Sequence, residues 1–167
     1  MYSKAKIMGH PIHPMLVTFP IAFYTSTLIA FIIYAVSGLP FWFRVGIAAN
    51  VAGIVMAVVA AVFGLIDWSG IPGTDPAARS TGLKHMALNS TSLILFIICL
   101  ILNAGQWSAV VPVMRGAIIL SAIGFLVTIG AGYLGWTLVQ THHVGVQFNS
   151  EEERCIRDVS GFGKRTV

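Results

Sequence analysis

Four stretches of this chain are each long enough and apolar enough to cross a bilayer, and that constrains the fold more than any other feature. A hydrocarbon core of about 30 Å takes roughly 20 helical residues at about 1.5 Å each. The stretches run from about Pro14 to Val36, Phe43 to Ile66, Met86 to Leu102 and Val113 to Val139, and no charge lies in the interior of any of them, Arg115 being at an end. An unsatisfied peptide group in hydrocarbon costs several kcal/mol, so such stretches must be helical. The expectation is an all-α, four-helix transmembrane bundle. Composition agrees: 56% of the residues are hydrophobic and 10% charged, against roughly 25% charged in soluble domains. A water-soluble enzyme with a polar shell is thereby excluded.

The first stretch reads as a retained span, since it is longer than a signal-peptide core and no small-residue cleavage site follows before Ser37-Gly38-Leu39-Pro40. Short connections rich in breakers join spans one and two (Ser37, Gly38, Pro40) and spans three and four (Asn103, Gly105, Ser108, Pro112), which makes sequential helices antiparallel neighbours. A longer polar loop, from Asp67 through Ser80, joins spans two and three. Both termini and that loop then share one membrane side. Residues 1–146 make one membrane domain, and 147–167 a short polar tail with room for a helix from Glu151 capped by Ser150.

The formal net charge is +4. Its basic residues flank apolar runs rather than forming an aromatic-interleaved patch, so nucleic acid is not the expected partner; the lipid bilayer is. Lys4, Lys6, Arg79 and Lys84 stand on the side of the termini, and only Arg44 and Arg115 on the other. By the positive-inside rule both termini are expected in the cytoplasm. Cys99 and Cys155 are too few and too ill-placed for a disulfide framework or a metal knuckle.

With this topology every histidine falls at one membrane face. His10 and His13 precede span one, His85 opens span three, His142 and His143 follow span four, and Asp67 ends span two. Polar residues are ordinary at helix ends, but the opposite face has no histidine and no acid. In span three, His85, Asn89 and Ser92 make a polar stripe expected to face the bundle interior. Small residues recur at Gly46, Gly53, Ala57, Ala60 and Gly64 in span two and at Gly124, Thr128, Gly132 and Gly135 in span four. Such stripes favour close helix packing over a cofactor cradle. Pro20 is expected to kink span one and widen the bundle mouth near His13.

The stretch Gly9-His10-Pro11-Ile12-His13-Pro14-Met15 and onward through Thr18-Phe19-Pro20 to Ala22 closely resembles the opening of the DUF2231 family of bacterial membrane proteins. Gly64-Leu65-Ile66-Asp67-Trp68 resembles the family's second-span ending, Arg79 with His85 to Asn89 its third-span opening, and Leu134-Gly135 through His142 to Val146 its closing motif. The resemblance implies a four-span inner-membrane protein, and carries over His10, His13, Asp67, Arg79, His85, Asn89 and His142 as site residues. Fusion of some members to Rieske domains leans toward electron transfer. This chain departs from the pattern at Trp136, Thr137, Gln140, His143 and Thr18.

Three readings of the polar cluster follow. The first is a b-type haem, because axial histidines from facing helices are a standard haem site in bundles and the chain has no C-x-x-C-H for covalent attachment. Spans one and three are expected to be diagonal, which makes His13 and His85 the first ligand pair and His10 and His142 the alternates. Asp67 and Asn89 would orient the ligating rings, Arg79 would meet a propionate, and electrons would leave through a redox partner or a quinone. The second reading is a transition-metal site built from His10, His13, His85, His142 and Asp67. The third is a cofactor-free structural or docking subunit in which the same groups tie helix ends together. A channel or pump lacks an intramembrane acid, and no nucleophile elbow surrounds Ser80, Ser90 or Ser92. The expectation is a binding or electron-transfer protein rather than an enzyme.

Overall fold

The computed structural model describes residues 4–146, together with Glu151 and Arg154. Its helices are α1 (Ile12–Leu16), α2 (Thr18–Ser37), α3 (Pro40–Trp68), α4 (Pro76–Asn103) and α5 (Ala117–Gln140), preceded by a two-residue ladder of β1 (Lys6–Ile7) and β2 (His10–Pro11). Four spans result, with α1 and α2 together making the first. The expected tail lies outside the described residues apart from Glu151 and Arg154.

α2 packs on α3 and α4 on α5 as tight antiparallel hairpins, and the hairpins pack together chiefly through α2 against α5 and α3 against α4. The cyclic order α2-α3-α4-α5 places α2 and α4 on a diagonal, as expected for spans one and three. The segments before α1 and after α5 meet at the same end of the bundle: the Lys4 amide donates to Asp67 Oδ1 at 3.0 Å, and Gly145 approaches Pro11. The outward faces carry Val55, Val58, Ile94, Leu126 and Ile129, all exposed. Only a bilayer can cover apolar surface on this scale, so these faces contact lipid.

Helix ends depart from the apolar windows where caps, not hydropathy, decide them. α4 begins ten residues before Met86, because Asp75 Oδ1 accepts the Ala78 amide at 2.9 Å and Pro76 supplies the preset first turn. His85 is therefore well inside a helix, not at its start. α5 begins four residues after Val113, since Asn103 Oδ1 takes the Arg115 amide at 2.9 Å and Gly116, left-handed at φ 66°, makes the turn into the helix. The break in span one falls at Val17 rather than at Pro20. Pro20 has no N–H to offer Leu16 and its ring crowds that carbonyl, so the disturbance is felt one turn earlier. At the end of the bundle remote from the histidines, Phe31, Tyr34, Phe43, Ile47, Cys99 and Ala117 pack into a buried cluster.

Candidate functional site

The site begins with two glycines. In a helix each Cβ leans toward the N-terminus, over the carbonyl one turn back, so a glycine uncovers that carbonyl. Gly64 uncovers Ala60 on α3, and Gly135 uncovers Ala131 on α5. Into the first notch comes His13 from α1, with Nδ1 2.8 Å from the Ala60 oxygen. Into the second comes His85 from α4, with Nδ1 2.8 Å from the Ala131 oxygen. A Cβ built on Gly64 would lie 2.8 Å from His13 Cε1, and one on Gly135 3.0 Å from His85 Cε1. In both cases Nε2 is the most distant of the three ring atoms named there, at 3.4 and 3.9 Å.

A carbonyl can only accept, so both rings carry a proton on Nδ1, and at His85, where an amide N–H meets the other nitrogen, Nε2 is a lone pair. The two imidazoles meet across the bundle diagonal with ring centroids 6.3 Å apart and planes at 88°. His85 Nε2 accepts from the Asn89 amide at 3.1 Å, and the same amide nitrogen donates to the His85 carbonyl at 2.9 Å. Eleven residues further into the membrane on the same two spans, Tyr24 and Phe96 stack face to face, centroids 3.7 Å apart and planes at 3°.

A family profile described as predicted membrane protein (DUF2231) matches residues 9–148. The chain belongs to the DUF2231 family. No curated protein and no solved structure matches this DUF2231 chain.

Of the seven expected site residues, His13, His85 and Asn89 come together. The others do local work. His10 Nδ1 pairs with the Met8 carbonyl in the turn between β1 and β2. Asp67 Oδ1 takes the amides of Lys4 and Ala5, pinning the N-terminal segment. Arg79 donates to the Ile71 carbonyl at 2.9 Å and lies 4.7 Å over the Trp68 ring, closing the α3–α4 loop. His142 Nε2 is 3.4 Å from Thr81 Oγ1. The multi-ligand metal centre does not form: among the described residues no three His, Cys, Asp or Glu side chains gather closely enough to hold a metal ion.

The span-three stripe does not face the bundle interior along its whole length. Ser92 is buried, bonded to Thr128 Oγ1 at 2.7 Å, but Asn89 is exposed. The groups that orient the two rings are the carbonyls of Ala60 and Ala131, which no side-chain pattern announces. Of the small-residue stripes, Gly132 faces open space, while the other glycines mark close packing by rings: Phe31 lies on Gly46, Tyr24 on Gly53, Phe96 on Gly124 and each histidine on its own glycine. The span-two stripe, which carries no histidine of its own, thus receives one from span one.

Proposed function

We propose that this DUF2231 protein carries electrons in the bacterial inner membrane, with both termini in the cytoplasm, and holds one b-type haem between His13 and His85. The observation that carries the reading is the pair of imidazoles on diagonal spans, each with its Nδ1–H held by a backbone carbonyl. Ligating histidines commonly show that arrangement, with the second nitrogen donating to a carbonyl or carboxylate.

The spacing agrees. With centroids 6.3 Å apart, the two rings are close enough that both could hold one metal, a ligating ring nitrogen standing about 2 Å from it. Two nitrogen donors suit a macrocycle that brings its own four, whereas a bare ion would want further protein ligands. A bound haem supplies reversible one-electron exchange. The chain's part is to hold both Nε2 atoms in position, to keep both Nδ1 protons on the Ala60 and Ala131 oxygens, and to release the Asn89 amide from His85 Nε2. A quinone or a redox partner protein is the proposed exchange partner.

Titration of the purified apoprotein with haemin tests this. Expected are one equivalent bound, a low-spin spectrum, and its conversion to a high-spin, weakly bound form in His13→Ala and in His85→Ala. Unchanged binding in both variants would overturn the reading.

A further inference from the structure

We infer that the molecule is a duplicated helical hairpin, and that the His13–His85 pair is the one pair of expected ligands that the duplication made, each half supplying an equivalent nitrogen donor to a ligand on the two-fold axis. The inference deepens the haem reading but rests on different observations.

The first is correspondence in sequence. Shifting α2 by 72 residues and α3 by 71 brings His13 onto His85, Tyr24 onto Phe96, Arg44 onto Arg115, Gly53 onto Gly124, Ala60 onto Ala131 and Gly64 onto Gly135. The second is correspondence in contact. His13 meets the Ala60 oxygen and His85 the Ala131 oxygen, both at 2.8 Å. A Cβ on Gly53 would meet the Tyr24 ring at 2.7 Å, and one on Gly124 the Phe96 ring at 2.8 Å. Burial repeats as well: Phe31 and its mate Asn103 are both fully buried, as are Asn50 and its mate Ser121.

The third observation is where the mates meet. α2 and α4 start from the same end of the bundle, as do α3 and α5, so the halves are related by a two-fold axis along the membrane normal, the parallel kind of internal repeat. Mates on the first helices of the two halves face each other across it, His13 against His85 and Tyr24 against Phe96. Both contacts between mates lie on the axis. None of the other expected site residues has a mate of its own type: His10 corresponds to Gly82, His142 to Ile71, Asp67 to Leu138, Arg79 to Ile7 and Asn89 to Val17.

A ligand held there meets two equivalent nitrogen donors, one from each half, as a metalloporphyrin would, and His10 and His142, which have no mates, stand outside that pair. One asymmetry is superimposed. Asn89 covers Nε2 of His85, whereas Val17, at the same place in the other half, has no polar group to cover His13.

The test uses the full chain with 15N-labelled histidine in detergent, without haem and then with it, in the parent, Gly64→Ala, Gly135→Ala and Gly132→Ala, the last facing open space. Expected are Nδ1–H tautomers for both His13 and His85, a change at His13 alone with Gly64→Ala, at His85 alone with Gly135→Ala, and at neither with Gly132→Ala. With haem, the two notch variants should lose affinity by factors within about threefold of each other. A neutral Nε2–H tautomer at either ring, a silent notch variant, or losses differing by more than about tenfold would overturn the two-fold site. If no variant and not the parent binds haem, the haem reading fails, while the apoprotein spectra still decide the duplication.

Discussion

At Gly64 and Gly135 the lack of a side chain decides what a histidine can touch. A methyl group at either position would sit within about 3 Å of a ring atom and push the imidazole off its carbonyl. The same logic holds deeper in the membrane. Gly53→Ala places a methyl 2.7 Å from the Tyr24 ring, which is already clamped against Phe96. Its expected cost, about 1–3 kcal/mol of overpacking less up to about 1 kcal/mol of helix propensity, should appear as a Tm lowered by several degrees, with Gly132→Ala unchanged or slightly raised. Asn89 offers a sharper prediction because its role differs from the one its position suggests. It covers the lone pair that the proposed ligation would use, so Asn89→Ala should tighten haem binding. Removing one competing hydrogen bond of about 0.5–1.5 kcal/mol corresponds to roughly two- to tenfold, read by haemin titration. Weaker binding would mean that the amide supports the ligated ring instead. The sequence shows five histidines at one face of an apolar chain, with His13 and His85 on diagonal spans, and these two are the histidines whose rings meet. The acceptors that orient them were not legible, because every residue has a carbonyl and only the glycine one turn on reveals which is uncovered.

Among elements, the four spans were legible because bilayer thickness and helical rise leave no other fold for such stretches. Their ends were not, because caps set them. Pro76 to Lys84 is too polar to register as span, yet it is helical: Asp75 caps it and Gly82 lets the Trp68 indole lie against α4. Asp75→Ala should cost about 1 kcal/mol, and should show as faster amide exchange in the first turn of α4, at Ala78 above all, with the rest of the bundle unaffected. Equal exchange in variant and parent would show that the Ala78 amide does not depend on the Asp75 carboxylate. Asp67 secures a different junction, holding the Lys4 and Ala5 amides to the end of α3. Asp67→Ala should release the N-terminal segment to protease while leaving α2 to α5 protected, whereas an unaltered cleavage pattern would argue against that anchoring role.

For the whole molecule, one-sidedness of the histidines is what the sequence displays, and two-fold symmetry is what underlies its most important pair. The duplication was hidden because it survives at few positions, mostly glycines and ring-bearing residues, and because the correspondence slips by one residue between the first and second helix of each half. The hairpin connections obscure it further: two residues join α2 to α3, while the second hairpin ends α4 at Asn103, adds a 3-10 turn from Ala104 to Gln106 and resumes only at Ala117. Orientation is a separate prediction. Reporter fusions active only in the cytoplasm should be active at both ends of the chain, and activity at neither end would invert the topology. The central claim, that His13 and His85 jointly ligate a haem, is tested most directly by the absorption spectrum of the protein purified from haem-supplied cells, oxidised and then reduced with dithionite, with metal analysis of the same sample. The account predicts a Soret band that sharpens and shifts on reduction, one iron per chain, and loss of both when either histidine is replaced by Ala. A colourless, metal-free protein from such cells would contradict it.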